Sequence, residues 1–275
     1  MTTLPNLLGD FSLAHDVTAG YVSQLTNAVA LFGKFLGRVP DTDDFNADAI
    51  NRFLDWLKAQ GRKPETVRGR RRMLVTLWRF AESLELCPPP PSQLRTVKVP
   101  ARVPTAFTVE QMCALLAAAD STERPLWWRS LLLASYDTAL RLGDLLSIER
   151  PDVWPDGSLS IVQSKTGRTH RVKLRAETLK AIDKHLAGRT TGLIWPLWAR
   201  REALYRAFQK LRQAAGIKSG TLRWIRRSSA SYVEAAHPGM GWRHLGHSAP
   251  GLAEKAYIDP RIVRPTPTLP PRLTG

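Results

Sequence analysis

Apolar positions in the first third of the chain recur at helical spacing. Val22, Leu25, Val29, Phe32, Phe35 and Leu36 lie on one face and predict a helix over 16–36, ended by the Pro40–Asp41 break. Ile50, Phe53, Leu54 and Leu57 predict a second helix over 47–59, stopped at Gly61. Val67, Leu74, Leu77, Trp78 and Ala81 predict a third over 64–84, with Pro64 in the first turn, where a missing N–H costs nothing. Residues 1–14 carry no strong pattern. The reading is an all-helical unit over 1–87.

Cys87 opens a run of four prolines, and the chain stays proline-rich to Pro104 while carrying Arg95, Lys98 and Arg102. Such a stretch is extended and semi-rigid, so residues 88–105 are expected to link two domains. The second domain is expected over 106–260. Thr108 with Gln111 three residues on makes a capping box for a helix reaching 119. A Leu- and Trp-rich helix follows over 123–140. The period then changes. Residues 158–162 and 170–174 alternate as strands, and Lys165-Thr166-Gly167-Arg168 joins them as a hairpin turn. Helices return over 176–186, 198–215 and 223–235, and a last helical stretch carries Tyr257. Residues 261–275 form a proline- and arginine-rich tail with no helical pattern. The fold class is mainly α with one small β-hairpin (α+β).

The 275 residues carry a formal net charge of +16. That surplus points to a polyanionic partner, and nucleic acid fits it best. No apolar run approaches the roughly 20 residues that span a bilayer. Two cysteines, Cys87 and Cys113, make neither a disulfide framework nor a metal set, and the N-terminus has no signal-peptide pattern, so a cytoplasmic protein with reduced thiols is expected. The histidines do not pair with cysteine or carboxylate at metal spacing, so no metal or other cofactor is expected. Basic residues concentrate at Arg62, Lys63, Arg68, Arg70, Arg71 and Arg72, and again at Arg200 and Arg201. Charge runs on helices are ordinarily solvated faces; the excess of cations over the one acidic Glu65 favours contacts to phosphate.

The candidate chemistry lies late in the chain. Arg226-Arg227-Ser228-Ser229 is followed by Leu245-Gly246-His247 and then by Tyr257. Arginine forks can hold the non-bridging oxygens of a phosphodiester, where charge accumulates in the transition state. His247 can donate a hydrogen bond or move a proton, and Tyr257 can attack phosphorus. Upstream stand Thr138-Ala139-Leu140-Arg141-Leu142-Gly143-Asp144-Leu145-Leu146 and Ser164-Lys165-Thr166-Gly167-Arg168. Alone, each piece has an ordinary explanation. Arg141 could simply pair with Asp144 or Asp137, Lys165 could be a solvated turn residue, and His244 competes with His247.

In this order and spacing, residues 15–260 resemble the tyrosine recombinases, or phage integrase family. Arg141 matches the arginine of T-G-L-R-x-x-E-L-L, Lys165 the lysine of a β-hairpin, Arg226 the second arginine, and Leu245-Gly246-His247 and Tyr257 the L-G-H and nucleophile. The resemblance implies a helical core-binding domain and a mixed catalytic domain. It also implies a site-specific recombinase acting through a 3′-phosphotyrosine on double-stranded DNA, as a homotetramer on paired sites, with accessory DNA-bending proteins in some members. Arg141, Lys165, Arg223, Arg226 and His247 would then serve the phosphate and Tyr257 would be the nucleophile. Two positions depart from the pattern. Arg223 stands where the family has His or Lys, and a guanidinium cannot exchange protons near neutral pH. Ala139 stands where the family has glycine. A type IB topoisomerase shares the tyrosine chemistry, and a non-enzymatic DNA-binding relative would share the fold; relaxation of supercoils without a specific site, or binding without cleavage, would mark these two.

Overall fold

The computed structural model describes residues 2–197 and 200–263. The chain divides into two compact units, residues 1–101 and 102–275. The first is built on four α-helices: α1 (Leu4–Ala14), α2 (Ala19–Leu36), α3 (Ala47–Ala59) and α4 (Pro64–Ser83). Thr18 and Asn46 cap α2 and α3 through their side-chain oxygens, and Gly37 ends α2 at φ 72°. Helix α1 occupies the segment for which no strong pattern is read. Leu4, Leu7, Leu8 and Phe11 do follow the helical period, but over too few residues to stand out, and their burial against α2 and α4 is what holds the element. Leu25, Phe32, Phe53, Leu57, Leu74 and Trp78 form the centre of this core, each at most 2% exposed. Burial of one such side chain is worth about 1.5–3 kcal/mol.

The proline-rich stretch is not a free spacer throughout. Trp78 Nε1 donates to the Pro88 carbonyl at 2.7 Å, and Leu94 is buried in the helical core. Arg71 Nε donates to the Arg95 carbonyl at 2.6 Å, and the Arg95 amide donates to Asn51 at 3.0 Å. Residues 88–97 are therefore docked on the first unit. A proline run removes backbone donors, but its carbonyls still accept, and α4 supplies the donors.

The second unit contains α5 (Val109–Ala119), α6 (Pro125–Thr138), α7 (Leu142–Leu146), β1 (Ser158–Val162), β2 (Thr169–Lys173), α8 (Ala176–Leu186), α9 (Arg201–Ala214), α10 (Leu222–Ala236), α11 (Gly241–His244) and α12 (Pro250–Ala256). Helix α6 lies at the centre, packed on α5, α8 and α10. The two strands pair antiparallel, Ser158 opposite Lys173 and Val162 opposite Thr169. The expected start of α9 at Trp198 falls outside the described residues, as does most of the C-terminal tail. Among the described residues no helix is long and apolar enough to cross a membrane.

Two features of this unit position the site. Helix α6 ends two residues earlier than the apolar pattern suggests, because Ala139 turns into the left-handed region at φ 49°. Arg141 then sits in extended backbone between α6 and α7. A small second core of Ala139, Ala230, Leu245, Ala253 and Tyr257 gathers segments that are far apart in sequence.

Candidate active site

Helix α10 carries three arginines in its first two turns, and each takes a different direction. Arg226 is 3% exposed. Its Nη1 donates to the Ala139 carbonyl, and its Nη2 donates to the Leu245 carbonyl at 3.0 Å and to His247 Nε2 at 3.3 Å. Arg227 Nε donates to the Ala256 carbonyl at 3.1 Å, beside the tyrosine, and its Nη1 to the Thr105 carbonyl at 3.3 Å. Arg223 remains exposed, with its guanidinium 5.0 Å from the Tyr257 ring centre.

Tyr257 follows the last turn of α12 and is 8% exposed. The Arg226 guanidinium lies 5.1 Å from its ring centre, and the His247 ring meets it edge-on at 5.0 Å. Burial by itself raises the phenol's pKa. Arg226, Arg223 and Arg141 outweigh that and bring it below its ordinary value. The charges thus favour the phenolate that attack requires. Ser231 Oγ donates to the Tyr257 carbonyl at 3.4 Å and accepts the Asp259 amide at 2.8 Å, so the backbone on the far side of the tyrosine is held as well.

His247 follows Gly246, whose φ of 65° lets the chain turn sharply. A Cβ at Gly246 would overlap Gln163 Nε2 and press on the His170 ring, so this position excludes side chains twice over. Burial, then Arg226 and Arg141, push the His247 pKa down to about 4, and the ring is neutral at pH 7. Arginine can only donate, so His247 Nε2 accepts and the proton sits on Nδ1. His244 resolves as a structural residue: its Nε2 lies 2.7 Å from Ser229 Oγ, and burial brings its pKa to about 4. Arg226 is shifted too, to about 10, first by burial and then by the balance between Tyr257 and Arg141; it stays charged at neutral pH.

Arg141 Nη1 donates to Gln163 Oε1 at 3.0 Å and lies 3.7 Å from Asp144 Oδ2. The carboxylate of Asp144 also takes the Ser164 amide at 3.0 Å and the Ser164 hydroxyl at 2.6 Å. The ion pair with Asp144 is therefore present, and it anchors the base of the hairpin at the same time. Lys165 is exposed near the tip, just before Gly167 at φ 64°.

One cavity of about 470 Å³ is walled by Arg141, Lys165, Arg223, Arg226 and Tyr257, together with Arg201 and Tyr205 of α9. His247 borders the same group through Arg226 and Tyr257. The structure thus brings the six residues read as catalytic to one place. Arg226 Nε and His247 Nδ1 are buried there without a hydrogen-bond partner. An unpaired buried polar atom costs about 1–3 kcal/mol, and a pair of them fits a site shaped for a charged ligand. The donors are chemically matched to phosphate: two buried or half-buried forks, a third at the start of a helix, and a lysine on a hairpin.

The residues read as DNA contacts separate. Arg201 lines the cavity, and Arg200 is exposed just ahead of α9. On α4 and just before it, Arg62, Lys63, Arg68 and Arg72 are exposed. Arg70 instead donates to the Gln24 carbonyl at 3.2 Å, and Arg71 is spent on the docked proline-rich segment. Sequence reasoning missed Gln163, which has no periodic or motif signal, and saw Asp144 only as a counter-ion.

Comparisons with known proteins give a family match and a fold. Residues 105–233 match the phage integrase family. The tyrosine recombinase XerC of Alcanivorax borkumensis is 26% identical over 188 residues, which cover 67% of this chain and 60% of that protein, so the chain spans less than two thirds of its relative. The fold is that of lambda integrase. A lambda integrase dimer bound to a core site superposes with a TM-score of 0.78 at 22% identity, over 98% of this chain and 100% of that one. A lambda integrase tetramer bound to a Holliday junction gives 0.79 at 19% identity, over 98% and 81%. The match to the phage integrase family thus lies within the second unit, and the chain is similar in sequence to a tyrosine recombinase and in fold to lambda integrase.

Proposed function

We propose that this protein is a site-specific recombinase that cuts and rejoins double-stranded DNA through a covalent 3′-phosphotyrosine. The observation that carries this reading is Tyr257 held between Arg223 and Arg226, beside neutral His247, in the cavity that also holds Arg141 and Lys165. The Tyr257 oxygen attacks the scissile phosphorus as the phenolate that Arg226, Arg223 and Arg141 favour, its proton having gone to solvent, and the His247 Nδ1–H serves as a donor to the phosphate. The bond from phosphorus to the 5′ oxygen breaks, and Lys165 gives that oxygen a proton. Arg141 and Arg226 hold the non-bridging oxygens, with Arg223 as a fixed donor. The phosphotyrosine conserves the bond, so a second 5′ hydroxyl can displace Tyr257 without an external energy source. Preorganised cations supply most of the rate.

Four copies on paired DNA sites would complete the reaction, as the lambda integrase tetramer on a Holliday junction suggests by analogy. The net charge of +16 supports DNA as the partner. Accessory DNA-bending proteins and a cytoplasmic location complete the proposal. The first unit would grip the duplex as a core-binding domain and the second would cut it.

The test is capture of covalent adducts from a pool of random-sequence duplexes. Wild type should yield DNA that stays attached through denaturation, and the sequenced adducts should converge on one site. Tyr257→Phe should yield none while binding that site within about threefold of wild type. Adducts formed equally by Tyr257→Phe, or none from wild type, would refute the reading. Adducts scattered without sequence preference, with relaxation of supercoiled DNA, would instead mark a topoisomerase.

A further inference from the structure

Gln163 is the residue on which three segments of the site meet. It follows the last residue of β1 and is 0% exposed. Its Oε1 accepts from Arg141 Nη1 at 3.0 Å and from Thr166 Oγ1 at 3.1 Å. Its Nε2 donates to the Leu245 carbonyl at 3.3 Å. The amide orientation is dictated by chemistry, because a guanidinium only donates and a carbonyl only accepts. The main chain closes the turn around it. The Gln163 amide donates to the Arg168 carbonyl at 2.9 Å, and its own carbonyl accepts from Thr166 at 3.1 Å and Gly167 at 2.9 Å.

A fully buried side-chain amide is costly unless each of its groups is paired, and an apolar residue would serve a purely structural position better. Here every pairing leads to a segment that carries a candidate functional group. Arg141 is one partner. Thr166 adjoins Lys165. Leu245 begins the turn that presents His247. Gly246 is tied to the same side chain, since a Cβ there would overlap Gln163 Nε2. The hairpin tip from 164 to 168 is exposed, so its position depends on what holds its base.

We propose that Gln163 is a positioning residue that registers the Lys165 hairpin against Arg141 and the Leu245–His247 turn. The proton donor for the leaving 5′ oxygen then arrives in place with the guanidinium that holds the phosphate. This inference rests on the recombinase reading above. Gln163 touches no reacting atom. It acts through Lys165, so its loss should resemble a loss of leaving-group protonation rather than a loss of binding.

The experiment compares wild type, Gln163→Met, Gln163→Ala and Lys165→Ala in single-turnover cleavage of the captured duplex, nicked to trap the adduct. A second substrate carries sulfur in place of the scissile 5′ oxygen. A thiolate leaves without a proton, so this substrate bypasses the acid. Gln163→Met keeps the buried volume and removes the hydrogen bonds. Both Gln163 variants should cleave the oxygen substrate about 10- to 100-fold more slowly, within the range that general acid catalysis supplies. They should regain most of that loss on the sulfur substrate, as Lys165→Ala should, with DNA affinity unchanged. Hydrogen exchange of the free protein should be faster across 163–168 in Gln163→Met and unaltered in α6 and α10. Oxygen-substrate rates within threefold of wild type would overturn the proposal. So would a loss undiminished by sulfur, or a variant that no longer melts cooperatively. Wild type that forms no adduct on either substrate would overturn the recombinase reading itself, a result distinct from an active wild type and unimpaired Gln163 variants.

Discussion

Arg226 donates from Nη1 to the carbonyl of Ala139, a residue 87 positions earlier in the chain. The left-handed turn at Ala139 exposes that carbonyl at the end of α6, and the same turn releases Arg141 toward the cavity. The two arginines read as phosphate clamps are thus set by one backbone feature. Arg226→Lys keeps the charge and loses the fork that reaches Ala139, Leu245 and His247 together. Cleavage should fall by about 10²–10³ while the fold survives. Single-turnover adduct formation and thermal melting check this; a cleavage rate within tenfold of wild type would remove Arg226 from the clamp.

Ala139 at φ 49° adopts a conformation that costs a non-glycine residue about 1–2 kcal/mol. Glycine would relieve that cost. It would also lose a buried methyl worth about 0.8 kcal/mol and add chain entropy of about 0.5–1 kcal/mol. Ala139→Gly should therefore leave stability within about 1 kcal/mol of wild type, whereas Ala139→Val should destabilise severely because a β-branched residue is an outlier there. Urea unfolding of both variants decides the matter. A well-tolerated valine would mean that the turn is not held.

Arg223 is one of the cations that lower the Tyr257 phenol. Attack needs the deprotonated oxygen, so cleavage should rise with pH and level off below the ordinary tyrosine range. Removing Arg223 withdraws one stabiliser of the phenolate. Arg223→Ala should move the rise to higher pH, and Arg223→Lys should move it less. An identical pH profile in Arg223→Ala would place this residue outside the nucleophile's field.

His244 and His247 both titrate near pH 4 in the folded chain against an ordinary 6.5. The unfolded chain therefore binds more protons between these values. The stability these groups contribute is complete above about pH 6.5 and is lost as pH falls toward 4. Chemical unfolding at pH 7, 6 and 5 should show decreasing stability, and replacing both histidines with glutamine should flatten the trend. An unchanged slope in the double variant would assign the acid sensitivity elsewhere.

Arg62, Lys63, Arg68 and Arg72 are exposed on or beside α4, whereas Arg71 holds the docked proline-rich segment. Replacing the four exposed residues by alanine should make the fall of log K with log salt shallower, by roughly 0.9 for each phosphate that these side chains neutralise. Arg71→Ala should instead lower the melting temperature of the first unit. Salt-titrated binding and calorimetry separate the two effects. An unchanged salt dependence would make the exposed run a solvated face.

Much of this protein is written in local periods. The 3.6-residue pattern of Ile50, Phe53, Leu54 and Leu57 and the alternation of 158–162 report which face of an element is buried, because side chains three or four apart on a helix and two apart on a strand share a face. The motif residues announce phosphate chemistry because only a few side chains can hold charge or attack phosphorus, and so Arg141, Lys165, Arg226, His247 and Tyr257 could be read in order. What no local period contains is which segments meet. The turn at Ala139 depends on packing against Ala230 and Leu245. Gln163 looks like one more polar residue until Arg141, Thr166 and Leu245 converge on it across up to 82 positions of chain. Arg71 looks like its neighbours Arg70 and Arg72 until the chain folds back and offers it the carbonyls of Leu94 and Arg95. Period and residue type determine the elements and the chemistry; the pairing of buried donors with distant acceptors, which exists only once the chain has closed on itself, decides the site.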